Sequence, residues 1–107
     1  MGVIHHHAVL VTVGLEPEIK ALRDWIAANM MPVVESPEVW NGYITFVMYP
    51  DGSKEGWPQS KDGDLQREML LEWIKSQRCS AAYAYVEVGY GELGVQIGST
   101  NQSNKHI

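Results

Sequence analysis

The hydrophobic positions of this chain change period several times, and each change predicts an element. Residues 3–13, Val-Ile-His-His-His-Ala-Val-Leu-Val-Thr-Val, are rich in β-branched side chains and end at Gly14, which predicts a first strand. The period then lengthens. Leu15, Ile19, Leu22, Ile26 and Met30 recur every three or four residues, the spacing of one helical face. Pro17 suits the first turn of that helix, Glu16 and Glu18 suit its positive end, and Pro32 stops it. Val33-Val34-Glu35 predicts a short second strand, with Ser36-Pro37 as a turn or edge. In residues 42–49 the period falls to two. Ile44, Phe46 and Met48 point one way; Tyr43, Thr45, Val47 and Tyr49 point the other.

Residues 50–63 hold the breakers Pro50, Gly52, Gly56, Pro58 and Gly63 and read as a loop. Asp64 is placed to cap a second helix over residues 65–77, whose buried stripe would be Leu65, Met69, Leu70, Trp73 and Ile74. Residues 82–90 alternate again, with Ala84, Val86 and Val88 set against Tyr83, Tyr85 and Glu87. A turn at Gly91-Glu92-Leu93-Gly94 leads into a short fifth strand, Val95-Gln96-Ile97. Residues 1–97 then form a single α+β domain, and residues 98–107 a polar, flexible tail. The order β-α-β-β-α-β predicts a ferredoxin-like plait with an extra C-terminal edge strand, its two helices on one face of an antiparallel sheet.

Composition narrows the setting. The 107 residues, 45% hydrophobic and 20% charged, describe an ordinary folded domain. A domain of this size buries roughly 60–70% of its unfolded surface and needs no staples. With Cys79 as its single cysteine the chain forms no internal disulfide, which suits a reducing compartment. The apolar run around Ala8 is too short to span a bilayer, and no signal-peptide layout surrounds it. A cytoplasmic protein with no membrane contact is expected. The net charge of −5, with its Lys and Arg scattered, disfavours non-specific nucleic-acid binding.

Reactive chemistry finds little purchase. On a strand, His5 and His7 share a face, but a metal site needs three or four ligands and no completing motif exists. A two-histidine phosphoesterase needs a second His-x-Thr/Ser motif, and the only other histidine is His106. Cys79 has no interior histidine to activate it, and there is no Gly-x-Ser-x-Gly elbow. Gly89-Tyr90-Gly91-Glu92-Leu93-Gly94 matches Gly-x-Gly-x-x-Gly only superficially, because no helix follows to receive a pyrophosphate; a hairpin turn explains it better. Asp62 and Asp64 are half of a calcium loop at the wrong spacing. No catalytic residue, metal ligand or cofactor is expected.

Two surfaces remain. One is the open sheet face, where Tyr43, Thr45, Tyr49, Tyr83 and Tyr85 would lie together, four of the five tyrosines on one surface. Tyrosine is favoured at interfaces, so a homodimer or a protein contact is expected there. Ordinary β-forming residues on a half-covered sheet give the same pattern. The other is the loop over residues 51–64, with Asp51, Ser53, Lys54, Glu55 and Trp57. Its glycines allow a backbone approach to a ligand, Lys54 offers a point charge, and Trp57 either stacks on a partner or packs under the loop.

Several features at fixed positions are distinctive: His6-His7-Ala8 leading to Thr12, Asn41-Gly42-Tyr43 entering a strand, and Pro50-Asp51-Gly52-Ser53-Lys54-Glu55-Gly56-Trp57. Ser60, Gly63-Asp64, Trp73 and Val86-Glu87-Val88 followed by Tyr90-Gly91 complete them. In these the chain resembles small, mostly uncharacterised proteins of tailed bacteriophages and prophages, over most of residues 5–91. The resemblance implies a phage accessory protein acting in the bacterial host cytoplasm. The leading expectation is a non-enzymatic protein that binds a host protein through the sheet face or the 51–64 loop. The alternatives are a small-ligand binder, such as one that takes up a nucleotide signal of host defence, and a small metal-dependent enzyme using His5 and His7 with a carboxylate.

Overall fold

The computed structural model describes residues 4–37, 41–50, 52 and 58–102, with residues 58–60 described for their backbone alone. It is an α+β protein with two α-helices and one five-stranded antiparallel sheet. The elements are β1 (His5–Val13), α1 (Glu16–Ala28), β2 (Val33–Glu35), β3 (Ile44–Met48), α2 (Pro58–Ser76), β4 (Tyr83–Gly91) and β5 (Gln96–Thr100). The strand order is β2-β3-β1-β4-β5, which is compatible with a ferredoxin-like plait. β1 is the central strand, pairing Val11 with Phe46 on one side and with Tyr85 on the other.

Both helices pack on one face of the sheet, around a single core. Ile19 and Leu22 of α1 and Leu70, Leu71 and Ile74 of α2 meet Val9, Val11, Val13, Ile44, Phe46 and Met48. The inward set on β3 is the one that the sequence alternation predicts. Trp25 and Trp73 stack between the helices with centroids 5.5 Å apart. At its edge, Arg23 of α1 grips Glu35 of β2 with a two-point hydrogen bond, Nε to Oε2 at 3.0 Å and Nη2 to Oε1 at 2.9 Å. That partner raises the guanidinium pKa above its ordinary value.

Four expectations are corrected. The first helix ends at Ala28, so Met30 does not extend its buried stripe. Instead Met30 is 87% exposed with φ of 50°, in the left-handed region that commonly closes a helix, and the Asn29 side chain donates to Trp25 O. Leu15 stands exposed at the N-cap. The second helix begins seven residues early, at Pro58, a residue whose fixed φ and missing N–H suit a first turn. Residues 58–63 are therefore helix and not loop, and Asp64 lies inside it. The buried stripe of α2 is also rotated: Gly63, Arg67, Leu70, Leu71 and Ile74 face inward, while Leu65 and Met69 are exposed.

The fourth correction concerns the C-terminal side. β5 runs to Thr100, so residues 98–100 of the expected tail belong to the sheet. Their polarity serves pairing with β4. Thr100 Oγ1 donates to Tyr85 O, Asn101 Nδ2 donates to Tyr83 O, and Tyr85 N donates to Asn101 Oδ1. The Gly91–Gly94 segment is a turn between β4 and β5, with Gly94 N donating to Gly91 O.

Candidate functional site

Two surfaces stand out, one on each side of the sheet. The first is the sheet face that no helix covers among the described residues. The register places His6, Ala8, Leu10 and Thr12 of β1 on it, beside Thr45 and Val47 of β3 and Ala84, Val86, Val88 and Tyr90 of β4. Val34 and Ile97 continue it onto the two edge strands. Leu10, Val34, Tyr90 and Ile97 are exposed. His6 and Tyr90 lie with ring centroids 5.2 Å apart, and the Thr12 and Thr45 hydroxyls share a 2.8 Å hydrogen bond. At one end the Tyr43 ring covers Gly14, where a Cβ would stand 2.8 Å from Tyr43 Cδ1. Tyr43, Thr12 and Ala84 help border a hollow of about 400 Å³ there.

This face is apolar rather than tyrosine-rich. Tyr83 and Tyr85, expected on it, are 1% and 5% exposed and belong to the core. Their rings face the helices: Tyr83 meets Trp73 edge-on at 5.5 Å, and its hydroxyl donates to Glu18 O at 3.3 Å. Burial pushes the Tyr83 phenol pKa up, and Glu18 and Cys79 add to that. The physical reason for the reversal is Glu87. It shares the helix-facing side with the tyrosines because Arg67 of α2 lies 3.7 Å away to pair with it. Tyr43 and Thr45 are on the open side as expected. Tyr49 follows the end of β3 and lines a small crevice with Pro32, Gly63 and Gln66.

The second surface is a cavity of about 540 Å³ between α2 and the β4–β5 pair, on the helix side. Arg67, buried among the core-facing residues of α2, holds Asp64 of its own helix as well as Glu87. Glu87 Oε1 also accepts from Ser99 N at 3.2 Å. His7 and Gly89 line the cavity. His5, 3% exposed, lies edge-on to His7 at 5.1 Å, with no hydrogen-bond partner on either ring nitrogen. Sequence reading missed Arg67 and Glu87. The available signal was Arg67 at helical spacing from Leu70, Leu71 and Ile74, a charge on an apolar stripe.

Asp51, Ser53, Lys54, Glu55 and Trp57 lie outside the described residues. Among the described residues, His, Cys, Asp and Glu side chains nowhere gather in the threes that a metal ion requires. Among the same residues no helix is long and apolar enough to cross a membrane. Comparison of the chain with protein-family models, with curated proteins and with solved structures finds no match.

Proposed function

We propose that this chain is a non-enzymatic binding protein with a ferredoxin-like plait, and that it engages a bacterial host protein through the uncovered face of its sheet. The setting, a phage-encoded accessory protein in the host cytoplasm, comes from the sequence resemblance. The observation that carries the binding role is the apolar character of that face: Leu10, Val47, Val86 and Val88 run across its centre. An antiparallel sheet can present one face to water, but such a face is ordinarily polar. A contiguous exposed apolar patch marks an interaction site. The segment over residues 51–57, ahead of α2, is a second contact in this reading.

The test is paired capture from bacterial lysate with the wild-type chain and with Leu10→Asp/Val86→Asp, both checked for folding by circular dichroism. A host protein recovered at equal stoichiometry is then purified and titrated calorimetrically. It should bind the wild type and lose at least about tenfold in affinity with the variant, the effect of losing one or two well-packed contacts. Equal binding by the two proteins refutes the sheet-face reading. The same face also suits a homodimer, because it joins two neighbouring copies without any change of fold. Light scattering decides this: a clean monomer at high concentration removes self-association.

A further inference from the structure

The sequence treats the two edges of the sheet differently. β2 carries the devices that keep an edge strand from pairing further. It is three residues long, it lies between Pro32 and Pro37, and its Glu35 is gripped by Arg23. β5, at the other edge, is five residues long and holds neither proline nor charge. Residues 93–104 are uncharged throughout, in a chain that is 20% charged and carries a net charge of −5. Among the described residues, no strand pairs with the outer side of β5.

The side chains repeat the contrast. Leu93, Val95 and Ile97, at alternate positions, are all exposed. Ile97 lies opposite Val88 and so belongs to the open face. Val95, two positions earlier, takes the same side where the strand is prolonged past Gln96. β5 has one protective device, a bulge. Between Ile97 and Thr100 it holds one residue more than β4 does between Val88 and Val86, and Ser99 N donates to Glu87 there. The bulge bends the strand after Ile97, which leaves residues 93–97 as the part that a further strand can meet.

We propose that β5 pairs antiparallel, through residues 93–97, with β5 of a second copy of this chain. The unpaired row of backbone N–H and C=O groups supplies the hydrogen bonds. Two identical antiparallel strands are self-complementary about a two-fold axis. Setting Val95 against Ile97 of the partner therefore sets Ile97 against the partner's Val95 as well. Two copies of the same negative charge repel over most approaches, and the uncharged run lets them meet without opposing like charges. A foreign strand finds no charge on β5 to select it. The pairing joins two sheets into one and their two open faces into one continuous face. The seam is short, so the dimer is weak, with a Kd of about 10–100 µM. It does not rest on the host-protein reading of the open face.

The test is sedimentation equilibrium of the full chain from about 10 µM to about 1 mM, a span that brackets such a Kd. The wild type should pass from monomer to dimer and stop there, because β2 is protected. Val95→Lys/Ile97→Lys, at exposed positions, sets the lysines of one copy against those of the other and should raise the Kd at least about tenfold. Leu10→Asp/Val86→Asp, on the open face, should leave the dimer unchanged. In hydrogen exchange, at least one amide among Val95, Gln96 and Ile97 should slow at the higher concentration. A dimer lost with the open-face variant and kept with the edge variant overturns the inference, as do species larger than a dimer or exchange that ignores concentration. A monomer at the highest concentration also overturns it, and leaves β5 to a strand of another protein.

Discussion

Replacing Tyr83 tests the placement of β4 and everything built on it. The ring is almost wholly buried and touches Trp73. A tyrosine in the core buries about 150–250 Å², and at about 25 cal/mol per Å² its removal costs roughly 4–6 kcal/mol. Large-to-small core substitutions of aromatic residues cost about 3–5 kcal/mol. Tyr83→Ala is therefore expected to lose about 3–5 kcal/mol, a large part of the roughly 5–15 kcal/mol that holds a domain together. Tyr83→Phe keeps the ring and gives up only the long hydrogen bond to Glu18 O, at about 0.5–1 kcal/mol. Val86→Thr, on the open face, should stay within about 0.5 kcal/mol of wild type. Urea unfolding followed by tryptophan fluorescence reports all three, because Trp73 sits against Tyr83 and stacks on Trp25. If Tyr83→Ala falls within about 1 kcal/mol of wild type, or Val86→Thr costs more than Tyr83→Ala, β4 faces the other way and the core assignment fails.

Further outcomes follow from single features. Met30→Gly should stabilise the chain by about 0.5–1 kcal/mol in thermal or urea unfolding, since the exposed methionine holds a left-handed conformation that glycine adopts freely; a loss of stability would show that Met30 packs against something. The raised Tyr83 pKa makes the folded state bind more protons than the unfolded one at alkaline pH. Its contribution is fully present below pH about 10 and is lost as pH rises through the folded value, so the alkaline fall in stability should be shallower in Tyr83→Phe. Thr12→Val should cost about 0.5–1.5 kcal/mol through the lost hydroxyl pair, and Thr12→Val/Thr45→Val should recover part of it; strict additivity would mean that the two hydroxyls do not interact. Glu87→Gln should cost about 1–3 kcal/mol in unfolding, because it leaves buried Arg67 with Asp64 alone, and an unchanged stability would remove Glu87 as the reason that β4 faces as it does.

Local periodicity was enough where only one assignment buries apolar groups. On β3, Ile44, Phe46 and Met48 leave no competing inward set. On β4 both sets are plausible, since Ala84, Val86 and Val88 are apolar and Tyr83 and Tyr85 are amphipathic. A lone carboxylate such as Glu87 argues for solvent until its cation is known, and that cation is twenty positions away in sequence, on another element. The same separation hid the cavity, whose parts come from β1, α2, β4 and β5. The start of α2 was obscured because Pro58 and Gly63 each signal a loop in isolation, although Pro58 opens a helix and Gly63 is buried within it. Residues 98–100 read as tail because their pairing with β4 is made by polar side chains as much as by backbone.

The central position of β1 has a consequence for how the chain is made. β1 is the second element's neighbour in sequence, yet one of its edges is closed only by β4, where Val13 pairs with Tyr83 and His5 with Gly91. On the ribosome, roughly 80 residues must emerge after β1 before that edge can close, which takes about 4–16 s at about 5–20 residues per second. Throughout that interval an apolar strand offers unsatisfied backbone groups to any other strand nearby. Non-local pairing of this kind also slows folding after release. The protein's yield in a cell should therefore rise at low temperature or with a bound chaperone that shields the nascent β1, even though the finished sheet is unchanged.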